Sequence, residues 1–548
     1  MPSYSRNYGF YLPSRADELP LDSTLTESFN KIDEELKNSA DTAKDAVVSA
    51  ESAQKQVSLI VRRETDSDAE SVQARVRKDG TVALTLKQRL DDMEEISKTF
   101  PVKEVQSPTT PNRSWSTSTN ELQHKLNGQE VIFKTAPKGV IRRLAVLGSS
   151  TSEGFYAESG NSWFDKLREV LTPMGWEVML RGLSGDNTTG AINRFHKDVV
   201  PYRPDVVIIA FTLGNEGLTA DQTQADKEAT YNQFKENILT LAMLCKQNGI
   251  TPVIADQAPT KRYNAEIYQM ASQLNWEMDN LGFMTINFKG AIDSLTTSGV
   301  PLNAAMYDDL HPNDAGHNAI FRSINPTLFK YLAGTPNIPV IESKKGAIKT
   351  PDTITDTEIP IKFTPAHPIE TFTVFFRLKA LATRTDQRTW AGIGDNGLRI
   401  SNQATDAFLD LRGNGLSPAL ISTVNMNDLK EHSVCVTFNK ISKVVRFYVD
   451  GNFVGSQTVE DINFTEVTLA GRVAGVIGNN TEYRDLAVYR ARLSDSQVKD
   501  LHKGNYPKGS LELFSPMNDS IVSVNTRLAN LAPTDSYAVV QTNSLTSV

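Results

Sequence analysis

The spacing of apolar positions changes along this chain, and each change predicts a different architecture. Leu25, Phe29, Ile32, Leu36, Ser39, Ala43, Ala46, Ala50, Ala53, Val57 and Ile60 alternate steps of four and three without an intervening Pro or Gly. A narrow seam sustained for about five heptads predicts a self-associating coiled coil, about 50 Å long at a 1.5 Å rise per residue. Next come a short strand, an Asp79-Gly80 turn and an amphipathic helix through Leu84, Leu86, Leu90, Met93 and Ile96. Pro, Ser and Thr then dominate residues 101–118, and 101–138 as a whole is expected to be a linker.

From Val140 short apolar runs alternate with amphipathic stretches. Strands are expected at Leu144–Leu147, Glu177–Leu180, Val206–Phe211, Pro252–Ala255 and Phe283–Ile286. Helices are expected at Ser162–Leu171, Tyr231–Gln247 and Ala265–Leu281. Buried strands interleaved with helices predict a parallel sheet covered on both faces, here over 139–335. A second linker, 336–352, holds Pro336, Pro339 and several lysines. Residues 353–508 read as all-β, with short alternating strands and a hairpin turn at Asp450-Gly451. The tail, 509–548, shows no comparable core pattern and is expected to be an appendix.

Composition narrows the function. A length of 548 residues exceeds one hydrophobic core and calls for several domains. No apolar run approaches the roughly 20 residues that span a bilayer, and Met1–Leu12 lacks the basic-then-apolar order of a secretory signal. The expectation is a chain made in a cytoplasm without that export route and not inserted in a membrane. A net charge of −8, with no basic block beside an aromatic platform, argues against nucleic acid as the main partner. Cys245 and Cys435 are far apart and match no zinc spacing. No metal or other cofactor is expected.

The chemistry concentrates in four segments. Gly148-Ser149-Ser150 ends the first strand, where open α/β sheets place their sites. Ser184-Gly185-Asp186 follows the second strand, Leu213-Gly214-Asn215-Glu216 the third, and Asp308-Asp309-Leu310-His311 lies late in the domain. A serine hydroxyl needs a base of near-neutral pKa to become a nucleophile. The developing oxyanion needs fixed donors, each commonly worth about 3 kcal/mol in the transition state.

Taken in order, these blocks resemble those of the SGNH (GDSL-type) hydrolases over about 190 residues. The resemblance implies a flavodoxin-like three-layer α/β fold and a metal-free esterase. It makes Ser150 the nucleophile, His311 the base and Asp308 its orienting partner, a variant of the Ser-His-Asp logic. It assigns the oxyanion hole to the Ser150 and Gly185 backbone N–H groups and the Asn215 amide. At Gly185 a side chain is expected to obstruct close approach. Ser149 and Glu216 stand where the family usually has Asp, positions that carry neither proton transfer nor the oxyanion contact. Asp309 is a rival to Asp308, disfavoured by the Asp-x-x-His spacing. His317 and His196 are read as structural and as surface or capping residues.

Two further resemblances bear on context. The Ala74-Arg75-Val76, Gly80 and Leu84-Thr85-Leu86-Lys87-Gln88-Arg89-Leu90-Asp91 pattern resembles a junction in bacteriophage baseplate and tail-fibre proteins. It implies a virion tail component, usually trimeric, with 1–20 as an attachment segment and 21–100 as a coiled-coil stalk. The Val436–Gly455 block and the Tyr483–Tyr489 strand resemble laminin-G-like, concanavalin-A-like jelly rolls. That likeness implies glycan binding, with exposed Trp390, Asp395, Asn396 and Asn480 as possible contributors.

The combined reading is a multidomain tail fibre carrying an esterase that strips acetyl or similar groups from a host surface polysaccharide or teichoic acid. The alternative is an inactive receptor-binding fibre using the same domains for adsorption, against which the intact Ser150, Gly185, Asn215, Asp308 and His311 set speaks. A cellular esterase with a lectin module fits the amino-terminal heptads less well.

Overall fold

The computed structural model describes residues 142–294 and 302–548, apart from breaks at 335–339, 352–359, 384, 395–396, 403–406, 414, 472–479, 520–521 and 542–544. Of the earlier residues it describes short strands only. The chain divides into two compact units, Met1–Pro137 and Lys138–Val548. The heptad seam, the Asp79-Gly80 turn and the following helix lie outside the described residues.

In the first unit β1 (Ser3–Tyr4) pairs antiparallel with β2 (Tyr11–Leu12). The expected linker 101–138 instead holds a four-stranded antiparallel sheet of β3 (Val105–Gln106), β4 (Arg113–Ser118), β5 (Glu121–Leu126) and β6 (Gln129–Lys134). Leu126 pairs with Gln129, and the sequence between them is Asn-Gly, the dipeptide that two-residue hairpin loops favour. The Ser/Thr content masked that signal, because these side chains sit as readily on a solvated strand as in a linker.

The second unit begins with five parallel strands: β7 (Arg142–Gly148), β8 (Trp176–Gly182), β9 (Val206–Ala210), β10 (Thr251–Ala255) and β11 (Met284–Ile286). Their order across the sheet is β11-β10-β9-β7-β8. Successive residues of a strand point to opposite faces, and the two cores sort accordingly. Leu144, Val146, Val206, Ile208 and Val253 face one core, with α2 (Trp163–Leu171), α7 (Asp314–Arg322) and α8 (Thr327–Gly334). Ala145, Leu147, Val207, Ile209 and Ile254 face the other, with α3 (Thr188–Asp198), α4 (Gln224–Gln247) and α5 (Ala265–Asn280). The remaining helices, α1 (Ser150–Glu153) and α6 (Phe288–Ile292), are single turns following β7 and β11.

Two antiparallel sheets make the second half of this unit. Their facing sides enclose one apolar core that includes Phe372, Val374, Phe376, Trp390, Val436 and Phe447. The hairpin at Asp450-Gly451 forms as expected, with φ of 52° and 73° and Val449 opposite Asn452. The outer side of the larger sheet is buried as well: Phe375, Cys435, Tyr448 and Tyr489 pack with α9 (Asp495–Lys503). Both cysteines are buried and unpaired.

The expected boundaries change here. Ile348–Lys349, in the supposed linker 336–352, is a strand between Thr481–Tyr489 and Thr546–Ser547. The supposed appendix 509–548 supplies Leu511–Ser515, Ala538–Val540 and Thr546–Ser547 to the two sheets. Leu513, Phe514, Ala538 and Val540 are fully buried. These segments are short, and their apolar residues are legible as core only against the strands they pair with, which for Ile348–Lys349, Ala538–Val540 and Thr546–Ser547 lie more than a hundred residues away.

The sandwich is fused to the α/β layer rather than strung from it. Gly290 of α6 accepts from Arg492 N at 3.3 Å, and a Cβ at Gly290 would lie 2.3 Å from the Arg492 carbonyl oxygen. Asn439 Nδ2 donates to Ala291 O at 3.0 Å, and Lys508 Nζ donates to Asp279 O at 2.8 Å. Glu512, buried, pairs with buried Arg490, and it accepts from Asn325 Nδ2 at 2.7 Å and Ser536 Oγ at 2.6 Å. One carboxylate thus joins the α/β layer, the sandwich and the carboxyl-terminal strap.

Candidate active site

Ser150 sits where β7 gives way to α1, at the carboxyl end of the sheet and beside the point where strand order reverses, the usual place for a ligand in this topology. The approach is tight. A Cβ on Gly148 would lie 2.1 Å from Ser152 Oγ and 2.7 Å from Ala210 O, so only glycine lets α1 start there.

His311 Nε2 lies 3.0 Å from Ser150 Oγ. On the other side of the ring, Nδ1 lies 3.0 Å from Asp308 Oδ2 and 3.2 Å from Oδ1. Asp308 Oδ1 also accepts from the backbone N–H groups of Leu310 and His311, each at 2.7 Å. Partial burial raises the Asp308 carboxyl, but hydrogen bonds from the His311 ring and the two amides outweigh it and hold the group below its ordinary value. Asp309 is exposed, and its carbonyl oxygen accepts from Lys261 N at 2.9 Å; it is Asp308 that meets the imidazole.

Asn215 ends a single turn over Leu213–Glu216. Its Oδ1 accepts from Thr212 N at 2.9 Å and Thr212 Oγ1 at 3.0 Å. With the carbonyl end occupied, the amide donors face the cleft bounded by Ser150, Thr151, Thr212, Asn215 and His311, whose volume is about 50 Å³.

Gly185 has φ +76°, a left-handed conformation that favours glycine. A Cβ there would meet none of the protein's own described atoms within 4 Å, so within the protein it is the backbone conformation that favours glycine. The loop is pinned by Arg194, whose Nε pairs with Asp186 Oδ2 at 2.7 Å and whose Nη2 donates to Arg181 O at 2.9 Å. Ser184 Oγ also donates to Glu153 of α1.

The two departures from the family pattern have separate fates. Glu216 Oε1 accepts from Thr188 N at 2.7 Å, so it caps the start of α3. Ser149 is buried at the start of α1, and its side chain makes no capping hydrogen bond. His317 is fully buried; Trp163 N donates to its Nδ1 at 3.4 Å, and burial pushes its pKa down to about 4. His196 is exposed in the last turn of α3.

Three aromatic side chains escaped the sequence reading. Phe155 and Tyr156 are each 45% exposed and Tyr307 is 62% exposed. Tyr156 stacks on Tyr307 with centroids 4.1 Å apart and planes within 11°. Phe155 and Tyr156 lie 5.2 Å and 5.3 Å from the His311 ring. Their adjacency to the Ser150 and Asp308 blocks in sequence was the available signal.

Of the proposed glycan residues, Trp390 and Asn480 are among the described residues. Trp390 is fully buried in the sandwich core, because the register of Thr389–Ile393 turns it inward, so it cannot meet a ligand as an exposed ring. Asn480 is a left-handed turn residue with φ 49°, its N–H donating to Pro351 O at 2.7 Å. Asp395 and Asn396 lie outside the described residues.

Residues 146–319 match the model of the GDSL-like lipase/acylhydrolase family. Among solved structures, the lipase/acylhydrolase from Enterococcus faecalis is 18% identical, over 35% of this chain and 96% of its own, with a TM-score of 0.28. An acetyl xylan esterase from Geobacillus stearothermophilus is 17% identical, over 33% of this chain and 91% of its own, with a TM-score of 0.28. A heptameric SAP-like pentraxin from Limulus polyphemus is 18% identical, over 37% of this chain and 98% of its own, with a TM-score of 0.27. No curated protein matches the chain. The chain carries a GDSL-type acylhydrolase domain and is a serine esterase.

Proposed function

We propose that this GDSL-type serine esterase removes small acyl groups, acetyl above all, from a polysaccharide or teichoic acid on a host cell surface. The observation that carries the reading is the continuous hydrogen-bonded line Ser150–His311–Asp308 beside the oriented Asn215 amide. Ser150 Oγ attacks the ester carbon while His311 Nε2 takes its proton. Asp308 holds the ring and stabilises the cation that forms. The Asn215 amide, with the Ser150 and Gly185 N–H groups, receives the charge that builds on the carbonyl oxygen. His311 then returns the proton to the leaving alcohol, and water repeats the sequence on the acyl-enzyme.

Two features favour a small acyl group on a sugar. The cleft's volume of about 50 Å³ is a few times the roughly 10–15 Å³ that admits one water, room of the order of an acetyl group. The exposed Phe155, Tyr156 and Tyr307 rings beside His311 offer amphipathic faces for a ring-shaped alcohol. The heptad seam and the junction pattern support a trimeric tail or baseplate fibre of a bacteriophage, joined to other tail proteins and acting at the bacterial surface. The β-sandwich, as a laminin-G-like module, is the proposed adhesion element. Multivalent attachment would hold the esterase on its polymer.

Hydrolysis of an aryl acetate by wild type and by Ser150→Ala tests the chemistry: equal turnover by the two sinks it. Sedimentation of the full chain tests the assembly, and a monomer overturns the trimeric fibre.

A further inference from the structure

A groove of about 760 Å³ runs between α5 of the esterase layer and α9 of the sandwich, within the roughly 300–1,000 Å³ usual for small-ligand sites. It shares no lining residue with the cleft at Ser150. Asp256, in its lining, is only 8% exposed. Its backbone N–H donates to Ile286 O at 2.7 Å, but no described residue donates a hydrogen bond to its carboxyl group. Its carboxyl group is open to a ligand in the groove that it lines. Lys289, also buried, donates from Nζ to Ser272 Oγ at 2.7 Å. Burial pushes the Asp256 pKa up, the charge of Lys289 opposing and that of Asp279 adding to the shift. Asp256 offers acceptor oxygens and Lys289 Nζ offers donor hydrogens to the groove. Above this polar lining stands Trp276, 59% exposed on α5, with the amides of Asn280 and Asn505 also lining the groove.

We infer that the groove binds one or two sugar residues of the polymer whose ester is cleaved at Ser150. A pyranose presents an apolar C–H face and a rim of hydroxyls that need both donors and acceptors. Trp276 offers the matching flat surface, and Asp256, Lys289 and the two amides offer the matching polar atoms. The carboxylates of Asp256, Asp279 and Asp500 around the groove disfavour a phosphate, and its charged groups disfavour a lipid chain. The site rests on the proposed polysaccharide esterase reading and adds to it a second point of attachment, which would raise the local concentration of ester at Ser150.

The test is isothermal titration of the full chain carrying Ser150→Ala with xylo-, cello-, chito- and manno-hexaose. At least one should bind with a Kd of about 1 mM or tighter. Adding Trp276→Ala or Asp256→Asn should weaken that binding about tenfold. Trp276 is exposed and Asn matches Asp in shape, so both variants should retain the wild-type melting temperature. No binding by any hexaose up to about 10 mM overturns the inference, as does unchanged affinity in either variant or displacement of the sugar by a fatty acid. Triacetin hydrolysis by the chain with and without Ser150 is measured alongside. Equal rates there refute the esterase reading, whereas the groove stands or falls on the titration.

Discussion

Replacing Asn215 separates catalysis from stability, because its two ends do different things. The oxygen end caps the Thr212 turn through bonds of 2.9 Å and 3.0 Å, and the nitrogen end faces the cleft. Asn215→Ala removes both. Loss of an oxyanion donor costs about 10²–10³ in kcat, and loss of a capping side chain costs about 1 kcal/mol of stability. Asn215→Asp keeps an oxygen acceptor for Thr212 but puts a second oxygen where the donor was, opposite the developing oxyanion. Its urea midpoint should stay near wild type while its kcat falls at least as far as that of Asn215→Ala. Initial rates on an aryl acetate over a range of concentrations give kcat and KM separately, and urea melts of the same samples give stability. A donor used only in the transition state lowers kcat with little change in KM. The assignment fails if Asn215→Asp retains kcat within about threefold, or if the loss lies in KM alone.

Other perturbations follow from the same structure. Glu512→Ala leaves buried Arg490 unpaired, which should cost about 3–5 kcal/mol; a urea midpoint unchanged from wild type would refute the bridging role. Burial holds the folded-state pKa of His317 at about 4 against an ordinary 6.5, so only the unfolded chain binds the proton between those values. The stability due to neutral His317 is therefore fully present above pH 6.5 and is lost as pH falls toward 4, by up to about 3 kcal/mol. His317→Gln should flatten urea midpoints measured across that window, and an unaltered slope would contradict it. Gly185→Ala should fold, since nothing crowds its Cβ, yet lose about 1–2 kcal/mol to its left-handed φ; wild-type stability in urea would argue against that strain.

Local and long-range information parted company in identifiable places. The Asp308-x-x-His311 spacing was legible because both residues lie in one short loop, where three residues of chain are enough to bring carboxylate to imidazole. The five parallel strands were legible because runs such as Val206–Ala210 are apolar on both sides, as a doubly covered sheet requires. The alternation of Glu431–Asn439 and the Asp450-Gly451 turn likewise announced antiparallel pairing.

Trp390 was misread because alternation alone gives two faces without saying which one is covered. The segments 336–352 and 509–548 were misread because two- to five-residue strands have no signal of their own; apart from Leu511–Ser515, their partners lie far away in the chain. The approach of His311 to Ser150 across 161 residues, the wall of Phe155, Tyr156 and Tyr307, and the groove holding Asp256 are tertiary facts. Sequence by itself determined the reacting groups and the period of each element, which depend on neighbours a few residues apart. Only the tertiary structure decided which faces are buried, which strands close the sandwich and which side chains surround the reacting ester, because those depend on contacts between segments whose separation leaves no local trace.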